Sequence, residues 1–121
     1  RYKKVLILAP DIFNNNPMEK VGNELKFYRE IIDLMDKLNI EIIGIKVRVR
    51  QHFISAGANK NYICINNKKI RIFEGYQSFD FYAKKVDFVI GPICTAILEA
   101  GMLNKDYYVY QHEYFPKFSV A

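Results

Sequence analysis

VDFVIGPICTAILEAGMLNKDYYVY, Val86 to Tyr110, carries a complete structural sentence. Asp87-Phe88-Val89-Ile90 is a short apolar run of the kind that forms a buried strand. Gly91-Pro92 is expected to break it, because proline has no N–H to give to a sheet ladder. From Ile93 to Leu103 the residues Ile93, Ala96, Ile97, Ala100 and Leu103 recur at offsets of three and four, one stripe of a helix. Asn104-Lys105-Asp106 reads as a turn, and Tyr107 to Tyr110 as a second β-rich run. Strand, tight turn, helix, strand is a βαβ unit with a right-handed crossover. Ligands of such units bind outside the carboxyl ends of the strands, where a helix N-terminus presents free N–H groups. Gly91, Pro92, Ile93, Cys94 and Thr95 are therefore the first place to expect a ligand.

The chain on either side repeats the theme. Lys4 to Ala9 (KVLILA) is nearly uninterrupted apolar sequence, as in a parallel strand buried on both faces. Pro10-Asp11 ends it, and Ile12 to Val21 reads as a loop rich in Asn with one Pro. Asn23 is the expected N-cap of a helix over Glu24 to Leu38, with Leu25, Tyr28, Ile31, Ile32, Met35 and Leu38 as its apolar stripe. Glu24, Glu30 and Asp33 fall early in that helix and Lys37 at its end, the order its dipole prefers. Asn39 is the expected C-terminal cap. Ile40 to Arg50 is a second strand whose later half alternates Ile45, Val47, Val49 with Lys46, Arg48, Arg50. Tyr62 to Ile65 and Ile70 to Phe73 are short β runs joined by Asn66-Asn67-Lys68-Lys69, a hairpin signal. Ser78 to Lys85 is a short amphipathic helix. The order β-α-β-hairpin-α-β-α-β points to an α/β, three-layer Rossmann-like domain with a mostly parallel sheet. Residues 1–121 read as one such domain, and the start at Arg1 without a methionine is expected of a piece of a longer protein.

Half of the 121 residues are hydrophobic, which is incompatible with wholesale disorder, and no apolar run reaches the roughly 18 residues a membrane span needs. No signal peptide is legible, so a cytoplasmic location is expected. Cys64 and Cys94 sit in apolar settings without CxxC spacing, which favours reduced thiols over a disulfide or a zinc site, and no metal is expected. The net charge of +5 suits an anionic ligand or an acidic membrane surface, and equally a Lys- and Asn-rich composition.

The candidate chemistry is that of anion binding. Phosphate at the Gly91 loop would accept N–H bonds from the first helical turn and one from the Thr95 hydroxyl. Neither GxxxxGK[ST] nor GxGxxG is present. Glu99, one turn deeper, could accept from ribose hydroxyls or face solvent. Arg48 and Arg50 could wall the cleft or lie on a solvated edge, and His52 and Asp11 stand at carboxyl-end positions where a ligand could reach them. His112 is a weaker candidate of the same kind.

The run Asp87 to Ala100, followed by Lys105 and a strand, resembles the C-terminal, donor-binding Rossmann-like half of GT-B glycosyltransferases of the surface and capsular polysaccharide type. The KVLILAP opening and the cationic Lys46 to Arg50 strand fit the same half-domain over roughly residues 3 to 110. That resemblance implies a nucleoside-diphosphate sugar as donor substrate and no other cofactor. Gly91 and Thr95 would face the pyrophosphate, Glu99 the ribose, and Arg48 and Arg50 the phosphate charge. It also implies an N-terminal acceptor domain elsewhere in the parent chain, no activity for this piece alone, and peripheral contact of the parent with the inner face of the membrane. The sequence departs from the pattern at Cys94, where serine is common, and at Gln51-His52, where an His-Pro pair is usual. An EX7E arrangement would need Glu at 107, where Tyr107 stands.

Two other readings belong beside it: a non-catalytic Rossmann-like protein-interaction module, and half of a nucleotide-sugar 2-epimerase. The first would show a Gly91 cleft plugged by side chains. Nucleic acid is not expected, because no recognised motif occurs and the lysines alternate with acids along the chain.

Overall fold

A computed structural model describes residues 3–9, 17–47, 62–74, 79–92 and 96–110. β1 (Lys4–Leu8), β2 (Glu41–Val47), β3 (Tyr62–Ile65), β4 (Lys68–Glu74), β5 (Phe88–Gly91) and β6 (Asp106–Val109) form one sheet in the order β3-β4-β2-β1-β5-β6. All neighbours are parallel except β3, which returns antiparallel beside β4. The helices are α1 (Pro17–Lys37), α2 (Phe79–Ala83) and α3 (Ala96–Met102). This is the α/β, mostly parallel, Rossmann-like arrangement that the element order implied.

The apolar runs divide by parity between two layers. Val5 and Ile7 of β1, Ile45 and Val47 of β2, and Phe88 and Ile90 of β5 pack with Phe27, Tyr28, Ile31, Ile32 and Met35 of α1. Leu6, Leu8 and Val89 point the other way, against Tyr82, Ala83, Val86 and Ala100 from the α2 and α3 region. Strands with both faces covered have no room for polar alternation, which is why KVLIL and FVI read as continuous apolar sequence. A bulge on β2 opposite Val5/Leu6 keeps the faces in step, with Ile42 on the α1 side and Ile43 on the other.

α1 is longer than expected. It begins at Pro17, a residue suited to the first helical position, where its missing N–H is no loss. Asn23 therefore lies inside the helix and caps nothing. Glu24 is also interior and buried, not a first-turn acid, and burial, joined by the Glu24 charge, pushes the Tyr28 hydroxyl well above its ordinary pKa. The C-terminal expectation holds: Asn39 takes φ 56°, and the Ile40 N–H donates to the Met35 carbonyl at 2.9 Å. The same device ends α3, where Asn104 has φ 53° and the Lys105 N–H donates to the Ala100 carbonyl at 2.8 Å. The hairpin turns more tightly than its four-residue signal suggested. Asn66 and Asn67 alone make it, with φ 53° and 62°, the two left-handed residues of a type I′ turn. Among the described residues, no helix is long and apolar enough to cross a membrane.

Candidate functional site

The chain steps from β1 to β2 to β4 on one side, then crosses back to β5 and β6 on the other. The reversal falls between β1 and β5, which pair directly. The carboxyl ends of these two strands, at Ala9 and Pro92, thus flank the switch point at which open α/β sheets take ligands. Of the residues expected to act there, Asp11, Arg48, Arg50, His52, Cys94 and Thr95 lie outside the described residues, as does His112. Gly91, Pro92 and Glu99 lie within them.

Gly91 is the last residue of β5, not a break after it, and its carbonyl accepts from the Tyr110 N–H at 2.8 Å. A Cβ at position 91 would stand 2.8 Å from Leu8 Cβ and 2.8 Å from the Tyr107 hydroxyl oxygen. The glycine is thus required by the close approach of β1 and of a side chain from β6. That hydroxyl donates to the Pro92 carbonyl at 2.5 Å, tying β6 to the point where the chain leaves β5. In the sequence Tyr107 reads as a β-forming residue and as the departure from an EX7E pattern. Nothing local in the sequence signals its hydroxyl, since the bond spans 15 residues and depends on the β5–β6 pairing.

Other residues of the quoted stretch also serve the framework. The Asp87 carboxylate accepts from the Lys4 backbone N–H at 2.7 Å, while the Asp87 N–H donates to the Lys4 carbonyl at 2.8 Å. This reciprocal pair clamps the amino ends of β1 and β5. Lys105 donates its ammonium to the Val86 carbonyl at 2.5 Å. Glu99 is exposed on α3. Lys46, first of the three alternating cations, is half-buried and turns toward α2, with Nζ 5.7 Å from the centre of the Tyr82 ring.

Beside the carboxyl edge, the Tyr110 hydroxyl donates to Glu30 Oε2 at 2.5 Å, and its ring meets Phe27 edge-on with centres 5.5 Å apart. Burial, the hydrogen bond and the negative charge of Glu30 together push the Tyr110 hydroxyl up to about 12. At the opposite, amino end of the sheet, a groove of about 480 Å³ lies between α1 and the hairpin turn. Its polar walls are engaged with each other: Asn66 Nδ2 donates to the Arg29 carbonyl at 3.2 Å, and Lys68 is paired with Asp36. Cys64 lies on β3, a strand as expected, and its free thiol is exposed. Among the described residues, no three His, Cys, Asp or Glu side chains gather as a metal site would require.

Compared with protein-family models, curated proteins and solved structures, the chain matches none of them.

Proposed function

We propose that this chain is a nucleoside-diphosphate-sugar-binding domain, the donor half of a GT-B-like glycosyltransferase of surface polysaccharide synthesis acting in the cytoplasm. The observation that carries the reading is the reversal of strand order between β1 and β5. A doubly wound sheet offers its ligand crevice at that one place. The sequences leaving it contain the groups a diphosphate needs: Thr95 at a helix start, Arg48 and Arg50 beyond β2, and Asp11 beyond β1. In this reading the domain holds the departing nucleoside diphosphate, and the acceptor and the catalytic base belong to a partner domain.

A second reading, a Rossmann-like protein-interaction module without a ligand, is favoured by one observation. The space beside Gly91 is filled by Leu8 and by the Tyr107 hydroxyl bonded to Pro92. Calorimetric titration with UDP, CDP and GDP separates the two. The donor reading expects saturable binding of one nucleotide, lost in an Arg48→Ala, Arg50→Ala double variant of unchanged fold. A folded protein that takes up none of the three supports the interaction module.

A further inference from the structure

The two faces of the β3–β4 hairpin differ completely. Ile63, Ile65, Ile70 and Ile72 are buried under α1. The outward face carries Tyr62, Cys64, Lys69 and Arg71, none of them acidic, with Cys64, Lys69 and Arg71 exposed. Lys69 Nζ lies 4.4 Å from the centre of the Tyr62 ring, and Tyr62 pairs across the strands with Arg71. The Arg71 guanidinium lies 5.0 Å from the Phe73 ring centre. From Phe73 the rings continue to Tyr82 at 4.9 Å and on to Phe81 at 5.1 Å, where Lys85 Nζ stands 4.1 Å above the ring. Lys46 adds a further cation over Tyr82. A track thus runs from the sheet edge to α2, with cation-and-ring pairs at the hairpin and at Phe81 joined through half-buried Phe73 and buried Tyr82, and Phe81 is 43% exposed on it.

We infer that this track binds single-stranded nucleic acid. Charge complementarity selects a polyanion, and the rings select one whose units have flat faces. Bases stack on aromatic rings and on arginine guanidinium planes, while flexible cations follow the phosphates. The lysines over Tyr62 and Phe81 cover these rings in the free protein, and they can swing to phosphate when a base takes the ring. A duplex keeps its bases stacked inside and gains nothing from the rings. Along the chain, lysines alternate with acids, a pattern that by itself does not favour nucleic acid. In the fold α1, which carries Glu19, Glu24, Glu30, Asp33 and Asp36, lies on the other side of the sheet from this track, while Glu74 of β4 and Asp80 of α2 belong to the elements that bear it.

The test is fluorescence anisotropy of a labelled oligothymidylate of about 16 nucleotides, the upper range for one small domain. Binding at low salt is expected, tighter than to a duplex of equal length. A Lys69→Ala, Arg71→Ala variant should bind about tenfold more weakly, with its salt slope reduced by about 1.4, roughly 0.7 per lost phosphate contact. Phe81→Ala should lose about fivefold or more through lost stacking. These side chains are exposed, so thermal melts should match the parent and exclude misfolding. Excess UDP, directed at the switch point, should leave the oligonucleotide bound. Absence of binding, wild-type affinity in both variants, or displacement by UDP would overturn the inference. So would preference for duplex or for phosphatidylglycerol vesicles, with the same sensitivity to substitution.

Discussion

One sheet presents two unlike faces. Under α1, a helix of 21 residues covers five strands, from the isoleucines of the hairpin to Phe88 and Ile90. On the other side α2 and α3 have 5 and 7 residues, and among the described residues the buried cluster there centres on Leu6, Leu8 and Val89, with Ile43, Phe73 and Tyr107 half-buried at its margins. There Leu98 is 72% and Met102 86% exposed on α3, while the hairpin shows cations and rings. The α1 face has the layered packing that stabilises a domain. Among the described residues the other is the more exposed, and both sites proposed above use it or its carboxyl edge. In the proposals above, stability and recognition fall on opposite sides of the same strands.

Substitutions can break this contrast or sharpen it. The largest effect is expected at Phe27, which is fully buried and meets both Tyr28 and Tyr110 edge-on. Phe27→Ala should cost about 3–5 kcal/mol in urea unfolding, a large share of the stability of a domain this size. Were that loss below about 1 kcal/mol, the α1 face would not be the stabilising one.

On the opposite face, Gly44 tests whether the Phe73 ring is held in place or merely resting there. A Cβ at position 44 would stand 2.6 Å from the Phe73 ring and 2.8 Å from the Arg71 carbonyl oxygen. A ring could swing aside, but a strand carbonyl cannot. Gly44→Ala should therefore cost about 1–3 kcal/mol and weaken oligonucleotide binding by displacing Phe73. An unaltered melting temperature would mean that this face is loosely packed down to its strands.

The smallest effect joins α1 to β6. Tyr110→Phe removes a hydrogen bond to a carboxylate and should cost about 1.5 kcal/mol at neutral pH. The sign of its pH dependence follows from the raised pKa. The folded state favours the neutral hydroxyl, so its contribution is complete below pH 10 and disappears as pH rises toward about 12. The stability gap between wild type and variant should close over that interval. A gap constant from pH 8 to pH 12 would remove Glu30 as the cause.

How much of this was legible beforehand varies by residue. The apolar runs at Lys4–Leu8 and Phe88–Gly91 announced themselves because strands covered on both faces tolerate no polar residue. Asn39 was legible as a cap because its role is local, a left-handed residue closing a bond five positions apart. The start of α1 was not, since Pro17 serves equally well to end a loop or to open a helix. At the candidate site, Gly91 stood out, but its neighbours did not. Leu8 and Tyr107 reach it from strands 83 and 16 positions away in sequence, and only the sheet order brings them there.

The sequence by itself determined the element types, their order, the parity of the apolar residues and the asparagine turns, because each follows from backbone sterics and periodicity over a few residues. Tertiary structure alone decided where the strand order reverses, which side chains fill the space at Gly91, and how charge separates. Lys69 and Arg71 on the outward face of the hairpin are parted by the sheet from the acids of α1, while Lys37 and Lys68 stay beside those acids, paired with Asp33 and Asp36. That separation rests on long-range pairing, which no local window contains.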